Sequence, residues 1–112
     1  MRATFVPERG DLIWLTLTPQ AGHEQAGRRP AVVLSPRAYN VKVGLLLACP
    51  VTSQVKGYPF EVALPPGLAV SGVVLADQMK SLDWKARKAV RIVTLPPAIV
   101  AEVLAKASAL LA

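Results

Sequence analysis

The run Gly22-His23-Glu24-Gln25-Ala26-Gly27-Arg28-Arg29-Pro30 leads straight into an apolar stretch, Ala31-Val32-Val33-Leu34. It gathers an imidazole, a carboxylate, an amide and two adjacent guanidinium groups between glycines. Pro30 disfavours the α region for the residue before it, so Arg29 is expected to be extended. An arginine held this way at the mouth of a core strand is pre-oriented, and its planar fork suits a phosphate or a carboxylate. His23 is the only histidine in the chain. Taken by itself it is the natural general base, because imidazole titrates near neutral pH. Glu24 beside it is a second candidate base. The competing reading of the run is a hairpin loop with solvated arginines.

The charge balance extends this chemistry. Thirteen Lys and Arg stand against 7 Asp and Glu, a net charge of +6 with a pI near 10.0. A polyanionic partner follows, either nucleic acid or an acidic peptide. Lys80, Lys85, Arg87, Lys88 and Arg91 form one basic focus, and Arg28 with Arg29 a second. Cys49 is the only cysteine, which excludes an intramolecular disulfide. Its apolar neighbours make it a small buried hydrophobe rather than a nucleophile. One His, one Cys and scattered acids give no metal-ligand spacing, so neither a metal nor another cofactor is expected.

These groups need elements to hold them. With 112 residues, 53% of them hydrophobic, a single domain over 1–112 is expected. Apolar alternation predicts strands over 11–18, 30–35, 44–52, 60–64, 72–76 and 89–94. Pro50 implies a bulge or an edge near the end of the third. A turn or short helix is expected over 35–40, and a helical turn around Trp84–Lys88. Pro96-Pro97 suits a helix start. Ile99, Val103, Leu104, Ala107, Leu110 and Leu111 follow at helical spacing, and Glu102 and Lys106 form an i,i+4 pair. Short strands between Gly/Pro turns, closed by one helix, predict an α+β fold built on a small, mostly antiparallel barrel or strongly bent sheet. The alanine-rich helix has little polar face, so part of it is expected to bury against a partner subunit. The apolar stretches are too short for a membrane span, and Met1–Phe5 lacks the apolar run of a signal peptide, so a cytoplasmic location is expected.

Five segments together carry a resemblance. They are Arg9–Trp14, Glu24–Ser35, Cys49–Gln54, Lys56–Val62 and Val74–Trp84. In this order and register the chain resembles the MazF/PemK family of toxins. The resemblance implies an SH3-like barrel of the plasmid-maintenance-toxin type, acting as a homodimer. It implies a sequence-specific, metal-independent endoribonuclease that cuts single-stranded messenger RNA and leaves 2′,3′-cyclic phosphate and 5′-hydroxyl ends. It also implies a cognate MazE-like antitoxin whose acidic tail occupies the RNA groove. The family's catalytic arginine falls on Arg29, its catalytic threonine on Thr52, and the acid of its Glu-Gln-x-Gly loop on Glu24. His23 is then expected to tune RNA binding rather than to act as base.

Cutting RNA without metal requires a group to take the 2′ proton, donors to stabilise the phosphorane, and a proton for the leaving 5′ oxygen. Arg29 and Thr52 are expected to supply the donors, and Glu24 to take the proton. RNA binding is expected from Arg28, Lys56 and Lys80 at phosphates and from Ser53, Gln54, Asp77, Gln78 and Ser81 at base edges. Trp14, Tyr58, Phe60 and Trp84 are possible stacking platforms, though most are expected to be core or interface residues, Trp14 above all. The rival is a toxin of the same architecture that binds DNA gyrase without cutting anything.

Overall fold

The computed structural model describes residues 5–16 and 27–112. In chain order it contains β1 (Asp11–Thr16), β2 (Arg28–Val33), α1 (Arg37–Val43), β3 (Leu45–Thr52), β4 (Glu61–Ala63), β5 (Val73–Leu75), β6 (Lys80–Asp83), β7 (Val90–Thr94) and α2 (Pro97–Ala109). The seven strands form one antiparallel sheet in the order β4-β5-β3-β2-β1-β7, with β6 also paired to β3. This is the expected α+β content. The barrel is open, because no ladder among the described residues joins β7 to β4 or β6.

The central strands are apolar on both faces, and each face has its own core. Leu12, Val32 and Cys49 belong to a cluster covered by α2 through Val100, Val103 and Ala107. Ile13, Leu15, Ala31, Val33, Leu46 and Ala48 belong to the opposite cluster, which Trp84 caps. Strand alternation decides which residue goes where. Trp84 is therefore the deeply buried tryptophan, with Nε1 donating to the Asn40 carbonyl at 2.9 Å, while Trp14 is half-buried. Trp14 packs against the cluster on the α2 side.

Pro50 lies inside β3, opposite Ala31. It falls where β3 changes partner, since Leu45–Ala48 pair with β6 and Val51–Thr52 pair with β5. The missing donor thus sits in the gap between two neighbours. β6 was not anticipated from the sequence. Residues 84–88 form a turn, as expected, with Arg87 N donating to the Asp83 carbonyl at 3.1 Å and Ala86 N to Asp83 Oδ1 at 3.0 Å. α1 runs to Val43, beyond the expected end at Asn40, and stops at Gly44 in the left-handed region, φ +83. The Glu102–Lys106 pair forms at 3.6 Å. Leu110 and Leu111 are exposed. No helix is long and apolar enough to cross a membrane among the described residues.

Candidate functional site

Arg29, near the start of β2, and Thr52, at the end of β3, lie on neighbouring strands. β2 and β3 pair Val33 with Ala48, Val32 with Cys49 and Ala31 with Pro50. These pairs end at Ala31 and Pro50; counting on by the same alternation puts Arg29 level with Thr52, beyond the paired residues. Alternation along each strand then puts both side chains on one face. The face is that of Ala31, Val33, Leu46 and Ala48, so the pair stands where one core row runs out to the surface. Arg29 is exposed, Thr52 half-buried, and both line one cavity of about 440 Å³ with Ser53 and Gln54.

Thr52 is held on both sides. It pairs with Val73 of β5, and its Oγ1 accepts a hydrogen bond from Gln54 N at 3.1 Å. Gly72 permits this approach. Its φ is +126, and a Cβ there would come within 2.1 Å of the Thr52 carbonyl oxygen. Only glycine lets the two backbones approach this closely.

The cavity continues in both directions. Toward β6 it shares Arg29, Pro30 and Val51 with a cavity of about 380 Å³, whose floor is apolar and whose cations are Arg29, Lys80 and Arg87. Away from β6 it shares Thr52 and Gln54 with a cavity of about 190 Å³, bordered by Lys56, Tyr58 and Gln78. The result is a groove with the guanidinium and the hydroxyl at its middle and further cations toward both ends. Such a groove suits a single-stranded polyanion.

Most predicted residues fall here. Ser53, Gln54, Lys56, Gln78 and Lys80 line the groove. Asp77 borders it by accepting the Tyr58 hydroxyl at 2.9 Å. Two residues are turned away by alternation. Arg28 lies on the other face, its guanidinium 5.6 Å from the Trp14 ring centroid. Ser81 points opposite to Lys80 and pairs with Leu47. Glu24 and His23 lie outside the described residues.

Three contributors were not singled out. Arg87 belonged to the basic run, but only the fold shows that it faces Arg29 across the groove. Glu61 accepts from Lys56 N and Gly57 N, and Lys106 reaches the Pro59 carbonyl. An isolated acid after Lys56-Gly57 was the available signal for Glu61; Lys106 gave none.

Cys49 is fully buried, and burial pushes its thiol from 9.0 up to about 11, with the nearby Asp77 charge adding to the shift. It is a core residue, as expected. Among the described residues, no three His, Cys, Asp or Glu side chains gather as a metal site.

Residues 8–111 match the family described as PemK-like, MazF-like toxin of type II toxin-antitoxin system. The chain belongs to this family. Endoribonuclease toxin MazF of Escherichia coli K12 is 55% identical over 97 residues, covering 87% of this chain and 86% of that protein. Endoribonuclease PemK of Escherichia coli is 39% identical over 108 residues, covering 93% and 81%. Among solved structures, a MazE–MazF complex from Deinococcus radiodurans aligns with a TM-score of 0.92 at 60% identity, covering 96% of this chain and 97% of that one.

Proposed function

We propose that this chain is the toxin of a type II pair and acts as a sequence-specific endoribonuclease on single-stranded RNA. The observation that carries the reading is that Arg29 and Thr52 line one cavity, in a groove flanked by Lys80 and Arg87 on one side and Lys56 on the other. The relatives named as endoribonucleases support it.

The ribose 2′-oxygen attacks the adjacent phosphorus, forming the P–O2′ bond while the P–O5′ bond breaks. Arg29 places two parallel N–H donors on the non-bridging oxygens, and the Thr52 hydroxyl adds a third. Charge stabilisation of this kind is usually the largest contribution in such a site. Glu24 takes the 2′ proton, and the departing 5′ oxygen takes one from solvent or from Arg29. The products are a 2′,3′-cyclic phosphate and a 5′-hydroxyl. This scheme uses protein groups alone and asks for no metal. In the cell, the chain acts in the cytoplasm as a homodimer on messenger RNA, without a membrane. A MazE-like antitoxin with an acidic tail neutralises it, in line with the MazE–MazF complexes solved from Deinococcus radiodurans.

The test is to incubate purified protein with a defined RNA in EDTA and sequence the fragment ends. Cuts at one recurring sequence, with 5′-hydroxyl and cyclic phosphate ends, are expected. Intact RNA, together with binding to DNA gyrase, would overturn the reading in favour of the non-cutting rival.

A further inference from the structure

The segment between β3 and β4, residues 53–60, is held by side chains from β4, from the turn after β5 and from α2. From β4, Glu61 accepts Lys56 N at 2.9 Å on one carboxylate oxygen and Gly57 N at 2.8 Å on the other. From within the segment, the Tyr58 hydroxyl donates to Asp77 Oδ1, beyond the end of β5, at 2.9 Å. From α2, Lys106 Nζ donates to the Pro59 carbonyl at 2.5 Å and to the Glu61 carbonyl at 3.3 Å. A polar loop containing glycine would otherwise sample many conformations, and each such state would move Lys56 and Tyr58.

What this tethered loop encloses is the cavity of about 190 Å³ that shares Thr52 with the central groove. Its walls combine an aromatic ring, Tyr58, with the two amides Gln54 and Gln78 and the cation of Lys56. An aromatic face stacks a base, amides address its hydrogen-bonding edge, and an ammonium meets the attached phosphate. The Tyr58 hydroxyl is engaged with Asp77, which leaves its ring to present a face rather than a donor. Its ionisation is also pushed upward, first by that hydrogen bond.

We propose that this cavity takes one base of the RNA next to the scissile linkage. Glu61, Tyr58 and Lys106 act as positioning residues that fix its wall and so set base preference at that one position. The proposal rests on the endoribonuclease reading. It adds a location for one element of sequence choice and assigns that choice to three residues outside the reacting pair. Lys106 is the informative one, because it does not line the cavity and acts only through the loop.

The test uses the full chain and a set of oligoribonucleotides in which each position flanking the cut carries each of the four bases in turn. Tyr58→Phe keeps the ring and removes the latch, Lys106→Met keeps the length and removes the tether, and Glu61→Ala releases the amides. Each is expected to raise KM for the preferred RNA with kcat held within about twofold, the pattern of lost uniform binding. Each is also expected to lower discrimination at the same single position by about tenfold. A purely structural role would lower Tm and leave the discrimination ratio unchanged. That result in Tyr58→Phe and Lys106→Met would overturn the proposal, even if Glu61→Ala failed to fold. If the wild-type chain cuts none of the RNAs, the endoribonuclease reading itself fails and the pocket assignment falls with it. If it cuts with a clear preference that all three variants retain, the pocket assignment alone falls.

Discussion

Arg29 is useful because two local rules act on it at once. Pro30 holds it extended, and strand alternation turns it onto the face of Thr52 while Arg28 turns to Trp14. The first rule was legible in the sequence and the second was not, because it needs the register. Thr52 could not be picked out by its type, since isolated threonines are common; it entered through the resemblance, and the register then gave it a physical reason. Cys49 was legible from its neighbours, and its burial leads to a prediction. The folded thiol ionises near 11 rather than 9.0, so the folded state holds a proton that the unfolded state releases between those values. The stabilisation is fully present below about 9 and is lost as pH rises through 11. Urea titrations from pH 8 to 11 should show stability falling across that window in the wild type, with a smaller fall in Cys49→Ala. Native protein at pH 8 should also resist iodoacetamide, reacting only once unfolded.

At the scale of elements, the decisive contact is between β3 and the approach to β5. Gly72 lies against the Thr52 backbone where no side chain fits. Gly72→Ala should therefore move the end of β3 and lower stability by about 3 kcal/mol or more, a size reserved for backbone strain and clashes. Cleavage should fall further than stability explains, as read by melting and by turnover at a temperature where the variant is fully folded. The elements themselves were legible in proportion to their periodicity. β1, β2, β3 and α2 carry long apolar patterns and were recognised with small errors at their ends. β6 was missed because Lys80-Ser81-Leu82-Asp83 has one apolar residue and no alternation to read. It is a strand because Leu45–Ala48 of β3 offer it a free edge, which is a tertiary fact. Which tryptophan lies deeper was not legible in the chain for the same reason: identity alone cannot say which face of which strand is covered.

For the molecule as a whole, the net charge of +6 becomes meaningful only once it is located. Lys80 and Arg87 join Arg29 in the groove, whereas Lys85 lies over the Trp84 ring, 5.6 Å from its centroid. Binding of a short single-stranded RNA should weaken with salt, and each phosphate contact contributes about 0.7 to the slope of log K against log salt. Lys80→Gln and Arg87→Gln should each reduce that slope by about this amount, while Lys85→Gln leaves it unchanged; fluorescence anisotropy over a salt series checks all three. The open sheet with one closing helix was legible as a class, and the family resemblance agrees with the match over residues 8–111. The central claim is that Arg29 and Thr52 act on the phosphorane rather than on RNA affinity. Its most direct test is the single-turnover cleavage rate of Arg29→Ala and Thr52→Val, measured at saturating protein beside the Kd of each. The account predicts rates lower by about 10²–10³-fold with Kd changed by less than about tenfold. Cyclic-phosphate ends appearing at the wild-type rate in both variants would contradict it.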